Sequence, residues 1–388
     1  MDRERRAELM MPGNPMRTMS IAAAAFSALL LAMSASAEPY LAVRMGAKCM
    51  TCHVNPTGGG KRTEYGAVYG SSVMAEGRLD EPDAATATPG GREPSGVWTG
   101  KISDYFAVGC NARMNLDSSR VPNQESTLAF ALRNAQVYLD LRVVPERLSF
   151  YVDERVAPGN TVNREAFALL WSKDKTAYVK AGRFVLPHGL RLEDDTAFIR
   201  QNTGINFATS DAGVEGGLEL GPWSTALAVS NGTAGAAENN RGKQFSWLTS
   251  IVHPGWRIGG SINVNKNNGA DRKMENTFAG LRTGIVSWLG EVSTITDEGT
   301  PTGRRKLRAA LTEANVEVLK GHNLKLTYEH LDPNLDLDED ERERYSIVWE
   351  YVPFQHTQFR LGYRDNRAPP QNNLQNAKEM FLQWHAFF

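Results

Sequence analysis

The chain has 388 residues, a formal net charge of −1 and three cysteines. Its 8 tryptophans, 11 tyrosines and 15 phenylalanines, together with the small net charge, exclude a disordered chain. Three cysteines are too few for a disulfide-stabilised scaffold, and without a basic excess the composition argues against nucleic-acid binding. No run of eighteen apolar residues occurs, which excludes a polytopic helical membrane protein.

The first 37 residues are predicted to be a secretory signal peptide. Arg17 precedes an apolar run over residues 21–33, and Ala35-Ser36-Ala37 then gives a small-residue cleavage pattern. The run is too short for a membrane-spanning helix, and an uncleaved anchor is the alternative interpretation. This segment predicts export across the inner membrane of a bacterium.

A redox motif follows the export signal. Cys49-Met50-Thr51-Cys52-His53 has the C-x-x-C-H spacing of covalent c-type haem attachment. In this motif the Cys49 and Cys52 thiols add to the edge of the haem, and His53 is the proximal ligand of the iron. In a cytosolic protein the same spacing would indicate a zinc or thioredoxin-like site, and a structural disulfide is a further alternative. We predict one covalently bound c-type haem.

The motif does not specify the second axial ligand of this haem. Met74 and Met45 flank the motif in the chain and are candidate distal ligands, because a thioether ligates haem iron. His188, in a later loop, is a third candidate. Ordinary packing is the alternative for the two methionines, and a hydrogen-bonded loop histidine is the alternative for His188.

The chain is predicted to divide after the motif. Residues 38–80 form the haem segment, and residues 81–96 form a linker, because they combine three prolines and three glycines with no apolar period. From residue 97 to residue 388 the apolar residues recur with a period of two, as in β-strands. In the final strand they share one face, on which lie Met380, Leu382, Trp384, Ala386 and Phe388.

The connections between the predicted strands alternate in length. Runs bounded by turn residues give sixteen strands of about ten residues, the length of a tilted strand that crosses a bilayer. Short turns, such as 144–146 and 253–255, alternate with longer loops, such as 186–210 and 332–341. This asymmetry is typical of outer-membrane barrels, and a soluble all-β protein is the alternative. The predicted fold is therefore all-β, a 16-stranded antiparallel transmembrane β-barrel over residues 97–388 with a short N-terminal c-type haem segment.

Two parts of the sequence resemble known families. Residues 181–190, with 198–200 and 211–214, are similar to the strand-to-loop passage of phosphate-selective porins, which implies that residues 186–210 fold into the pore as a constriction. The haem segment, with Ala42 and Gly46 before the first cysteine, and the porin-sized barrel together resemble the outer-membrane fused monohaem cytochrome–porin family of iron-oxidising bacteria. This resemblance implies electron transfer at the outer membrane, with the haem segment in the periplasmic mouth or lumen of the barrel.

The combined prediction is electron transfer across the outer membrane. An external metal-ion donor such as Fe(II) reduces the haem, and a periplasmic cytochrome or cupredoxin takes the electron, which makes an Fe(II):cytochrome c oxidoreductase-type activity a hypothesis. Electron export to an external acceptor is the alternative direction and would use the same haem segment and barrel. The second hypothesis is a solute or anion pore whose haem segment is an accessory plug or sensor.

The expected partners follow from this prediction. They are outer-membrane lipid, the periplasmic electron carrier and the external metal ion, and nucleic acid is excluded. Acidic runs at 332–343 and 193–195 are candidate sites for attracting Fe(II), because hard cations prefer oxygen ligands. Solvated loops, or divalent bridges to lipopolysaccharide, are the alternative for both runs.

Overall fold

The computed structural model describes residues 38–77, 97–206, 209–238, 240–267, 269–301 and 303–388. The predicted signal peptide (1–37) and linker (81–96) lie outside the described residues. No helix within the described ranges is long and apolar enough to cross a membrane.

The described chain forms one closed barrel of sixteen antiparallel strands, as predicted. Each strand pairs with its neighbours in sequence, and β1 pairs with β16 to close the ring. The strands are β1 (Phe106–Arg120), β2 (Thr127–Val144), β3 (Leu148–Ala157), β4 (Val162–Trp171), β5 (Ala177–Phe184), β6 (Asp211–Leu220), β7 (Trp223–Ser230), β8 (Gln244–His253), β9 (Trp256–Asn265), β10 (Arg272–Thr283), β11 (Val286–Thr300), β12 (Gly303–Leu319), β13 (His322–Asp332), β14 (Arg342–Tyr351), β15 (Thr357–Arg367) and β16 (Lys378–Phe387).

The period of two separates an apolar outer face from a polar inner face. In β16, Met380 and Leu382 are exposed on the outside, whereas Gln383 and His385 are buried inside. Burial is therefore inverted relative to a soluble sheet, in which the apolar face is covered. An apolar outer face with a polar interior is the arrangement of a barrel that sits in lipid.

Strand connections follow the predicted alternation with two differences. The predicted long loop at 157–162 shortens to residues 158–161, which is shorter than the turns at 172–176 and 352–356. The sequence predicts a long loop at 297–304, but β11 and β12 continue to Thr300 and Gly303. Asp297 and Arg305 face each other across this extension and form an ion pair of 3.0 Å. The extension is polar throughout, so alternating hydrophobicity does not reveal it.

The N-terminal segment (residues 38–77) lies inside the barrel at the end that carries the short turns. It contains α1 (Pro39–Met45), α2 (Cys49–Cys52), α3 (Glu64–Val68) and a π-helical stretch, Tyr69–Met74. At the short turns, the backbone N–H of Gly255 donates to the carbonyl of Val43 (3.1 Å), and that of Glu76 donates to the carbonyl of Val352 (2.9 Å).

A second segment, the β5–β6 connection (residues 185–210), also enters the lumen, as predicted for the inward loop. It contains α4 (Phe198–Thr203). The backbone N–H of Leu190 donates to Glu291 of β11 (3.2 Å), and that of Phe198 donates to Glu329 of β13 (2.6 Å). This inward loop and the N-terminal segment together supply much of the buried apolar core, which lies within the ring of strands.

The outward position of Leu227 gives a test of membrane embedding. Leu227 is 47% exposed on the outer face near the middle of β7. We predict that Leu227→Arg lowers the free energy of unfolding in phospholipid vesicles by about 2–4 kcal/mol, because a lipid-facing arginine near the midplane is destabilising on that scale. Urea unfolding, followed by tryptophan fluorescence, measures this change in the free energy of unfolding. Leu374→Arg, on the exposed β15–β16 loop, is the control, and equal losses in both variants would contradict the lipid-facing position.

Candidate functional site

The C-x-x-C-H motif forms one helical turn and an extended exit. Helix α2 ends where the backbone N–H of His53 donates to the carbonyl of Cys49 (2.9 Å). Residues three apart on a helix are neighbours, so the turn brings Cys49 and Cys52 to the same face. His53 then adopts an extended conformation and forms an antiparallel bridge with Arg62. The motif therefore presents two thiols and one imidazole in a single region of the lumen.

These three side chains line one cavity inside the barrel, whose empty space, counted together with the solvent open to it, is about 660 Å³. Met45 and Met74 line the same cavity, which brings five of the six sequence-predicted site residues together. The two sulfur atoms of the motif are not joined in a disulfide. A thioether ligand to haem iron from Met45 or Met74 stays a prediction.

His188 lies outside this cavity. It is buried in the inward loop, where its ring hydrogen-bonds with Asn263 and Ser261 of β9. Its second ring nitrogen lies 3.4 Å from the hydroxyl of Ser293 on β11. The described structure thus places His188 as a contact between the inward loop and the barrel wall.

Close backbone packing shapes the cavity around the motif. The side chain of Thr63 caps α3 by accepting a hydrogen bond from the N–H of Gly66 (3.1 Å). A Cβ atom on Gly66 would lie 2.3 Å from the carbonyl oxygen of Cys52, so only glycine allows α3 to approach the motif this closely. The π-helical stretch that follows α3 carries Tyr69 and Met74 to the cavity.

The donor set and its electrostatics fit a c-type haem. Burial lowers the pKa of His53 to about 3, aided by the nearby Arg62 and Arg191 guanidinium groups, so the imidazole is neutral, the form that ligates a metal. Its Nδ1 atom is buried and makes no hydrogen bond with the described residues. Burial also raises the pKa of Cys52 to about 11. Two thiols and a neutral imidazole around one mostly apolar space are the groups that attach such a haem, and either thioether, Met45 or Met74, is of the type that could supply one further ligand.

Buried polar contacts fix the N-terminal segment to the barrel wall. The Lys325 ammonium group of β13 lies 2.9 Å from the carboxylate of Glu38 and 3.4 Å from that of Glu350. The Asn55 side chain donates to Glu165 of β4 (3.0 Å). A buried charge is tolerated when it is paired, so these contacts hold the segment in one position.

A larger cavity, which we call the vestibule, runs from the long-loop end of the barrel to His53. Its empty space, counted together with the solvent open to it, is about 2160 Å³, and it begins near Ser118 and Arg342, beside two of the long loops. Among the described residues, nine arginines and six carboxylates line it. Four residues, His53, Gly59, Arg62 and Arg191, border both this vestibule and the cavity of the motif.

The acidic residues of the inward loop face arginines in the vestibule. Glu193 lies 3.0 Å from Arg113 and 3.2 Å from Arg360. Asp194 forms an ion pair with Arg364. These two members of the predicted acidic run at 193–195 are therefore neutralised by the barrel wall. Within the described ranges, no group of three or more His, Cys, Asp or Glu side chains is arranged to hold a metal ion.

Comparisons with known proteins identify the fold. No protein-family model and no curated protein sequence matches the chain. Among solved structures, a loop-deletion mutant of OmpT, an outer-membrane protein of Vibrio cholerae, is 11% identical with a TM-score of 0.57, covering 74% of this chain and 100% of that one.

Two further solved structures share the fold. The outer-membrane channel DcaP of Acinetobacter baumannii is 10% identical with a TM-score of 0.55, covering 74% of this chain and 99% of that one. The anion-selective porin from Comamonas acidovorans is 10% identical with a TM-score of 0.53, covering 73% of this chain and 100% of that one. The barrel therefore has the 16-stranded fold of outer-membrane porins.

Lys325 gives a test of how the segment is held. We predict that Lys325→Met lowers the free energy of unfolding by about 3–5 kcal/mol, because it leaves Glu38 and Glu350 as buried carboxylates without their shared cation. Denaturant unfolding measures the loss, and limited proteolysis detects release of residues 38–77. Lys273→Met, at an exposed pair with Glu275, is the matched control and leaves both measurements unchanged. A loss no larger than that of the control would contradict the anchoring role.

Proposed function

We propose that this chain is an outer-membrane protein that transfers electrons through one c-type haem held inside its barrel. The observation that carries the proposal is that Cys49, Cys52 and His53 line one cavity within the lumen, together with Met45 and Met74. The porin fold accounts for the barrel, and we add that the N-terminal segment makes the chain a fused monohaem cytochrome and porin. A haem bound there supplies a centre that gains and loses one electron.

The residues of the chain have separate roles in this proposal. Cys49 and Cys52 would attach the group covalently, and His53 would ligate its iron. Met45 and Met74 are the candidates in this cavity for a further ligand, and Gly66 keeps α3 close against the motif. Pairing of Lys325 with Glu38 keeps the whole segment in the lumen.

The position of the motif shortens the distance that an electron has to cover. A bilayer has about 30 Å of hydrocarbon, which one haem outside the barrel does not bridge. The vestibule extends from the long-loop end to His53, so a small external donor would reach the motif by that route, although the excess of arginine over carboxylate there opposes the entry of free Fe(II). The segment meets the short turns at Val43 and Glu76, and short turns are on the periplasmic side of outer-membrane barrels.

The proposed direction is inward. An external donor such as Fe(II) loses one electron and becomes Fe(III), and a periplasmic cytochrome or cupredoxin gains that electron. Export to an external acceptor is the reverse of the same exchange. The outer-membrane location is supported by the apolar outer face and by the porin fold.

Removal of one motif cysteine tests the proposal. We predict that the full chain, matured in a periplasm, shows a c-type haem spectrum on reduction, and that Cys52→Ala loses most of the covalently attached haem. Cys110→Ala, which removes the cysteine outside the motif, is the matched control and retains it. In proteoliposomes, external Fe(II) reduces the haem of the unchanged protein and of the control.

Two results would count against this proposal. One is a chain that carries no haem after maturation with an active attachment system. The other is a haem that no external donor reduces and no external acceptor oxidises, while the barrel itself is folded.

A second candidate function is a solute or anion channel whose N-terminal segment is a plug or sensor. The arginine-rich vestibule favours it, and the porin fold supports it more directly than it supports electron transfer. The excess of arginine over carboxylate in the vestibule predicts that any ion flow through the barrel prefers anions.

Conductance separates the two candidates. In a planar bilayer with a KCl gradient, an anion channel gives a steady conductance. Its reversal potential has the same sign as the equilibrium potential of chloride. A plugged electron-transfer protein gives little steady conductance and retains its haem spectrum. Cation-selective conductance would contradict the anion-channel candidate.

A further inference from the structure

Two buried arginines at the cavity of the motif have no ion partner in the part of the chain that the structure describes. Arg62, on the N-terminal segment, is 6% exposed, and Arg257, on β9, is 7% exposed. Both line the cavity that contains Cys49, Cys52 and His53. Neither side chain forms an ion pair or a hydrogen bond with any residue in the described ranges.

Aromatic rings are the packing partners of both guanidinium groups. Arg62 lies over the ring of Phe387, 4.9 Å from its centre, and Arg257 lies over the ring of Phe278, 5.0 Å from its centre. The Nε atom of Arg257 is buried without a hydrogen-bond partner. Stacking on a ring orients a guanidinium group but leaves its N–H donors available.

Among the described residues that line this cavity, the other two cations are paired. Lys48, at the same cavity, lies 2.7 Å from Glu219, and Arg191 lies 3.3 Å from Glu165. The one carboxylate that lines the cavity among the described residues, Glu38, lies beside Lys325. Because buried charges in proteins are normally paired, two unpaired guanidinium groups at one cavity indicate an anionic ligand.

We infer that Arg62 and Arg257 bind the two propionate carboxylates of the haem, an inference that rests on the proposed function. A guanidinium group binds a carboxylate with two parallel hydrogen bonds, and such charge-assisted bonds are among the strongest in proteins. The haem brings two carboxylates to a cavity with two unpaired guanidinium groups. A free anion that enters from the vestibule could bind the same two arginines, because Arg62 also borders that space.

The midpoint potential of the haem tests this inference in the full-length protein. Loss of a nearby positive charge stabilises the oxidised, more positive haem, so Arg62→Gln and Arg257→Gln each shift the potential to lower values. The Arg62→Lys and Arg257→Lys variants keep the charge and stay closer to the unchanged protein. Arg305→Gln, at an exposed pair with Asp297, removes the same charge away from the cavity and leaves the potential unchanged.

Covalent attachment is measured beside the potential. Both glutamine variants keep Cys49 and Cys52, so haem staining after denaturing electrophoresis stays at the level of the unchanged protein. A shift with retained haem therefore reports on the surroundings of the haem and not on its loss.

Each remaining outcome has a defined meaning. A bound haem whose potential is the same in both glutamine variants overturns the inference and leaves the proposed function intact. A chain that carries no haem overturns both. In that case, thermal stabilisation by inorganic phosphate in the unchanged protein, absent in Arg62→Gln, assigns the two arginines to a free anion.

Discussion

The structure depends on the closure of one hydrogen-bonded ladder into a ring. Strand β1 pairs with β16, in the register that sets Leu116 opposite Leu382, and this contact leaves the sheet without an edge. A barrel of sixteen strands is too wide for wall side chains alone to fill. The lumen is therefore occupied by other parts of the same chain, the N-terminal segment and the inward loop.

Electrostatics then decide how these parts sit in the lumen. Alternation along the strands turns polar and charged side chains inward, where water is partly excluded and unpaired charges are unfavourable. Glu193 of the inward loop meets Arg113 and Arg360, and Glu38 of the N-terminal segment meets Lys325. The position of the C-x-x-C-H motif is thus set by ion pairs with the wall at least as much as by its own short helices.

Much of the fold is predictable from the sequence because the bilayer imposes a period of two on every strand. Strand number and closure follow from that period and from the alternation of turn lengths, whereas the inward loop is implied by the resemblance to phosphate-selective porins. The extension of β11 and β12 does not follow from the period, because Asp297 and Arg305 lie where both faces of the sheet are polar.

The site is predictable only where its residues are close in sequence. The spacing of Cys49, Cys52 and His53 identifies the motif, and Met45 and Met74 are near enough to be considered with it. The partners of Glu193, and the contribution of Arg257 to the cavity, depend on contacts across the barrel. His188 is hydrogen-bonded to β9, a strand whose proximity to the inward loop sequence spacing does not indicate.

Because the N-terminal segment is part of the chain that forms the wall, the stoichiometry of the assembly is fixed at one segment per barrel. A separate protein in the lumen would have to be recruited from the periplasm, and its occupancy would vary with its abundance. Covalent continuity instead gives the segment a high effective concentration at its own barrel mouth, whatever the expression level. The contacts of Lys325 and Glu165 then only have to hold the segment in one position. They do not have to provide the affinity by which a separate protein would bind.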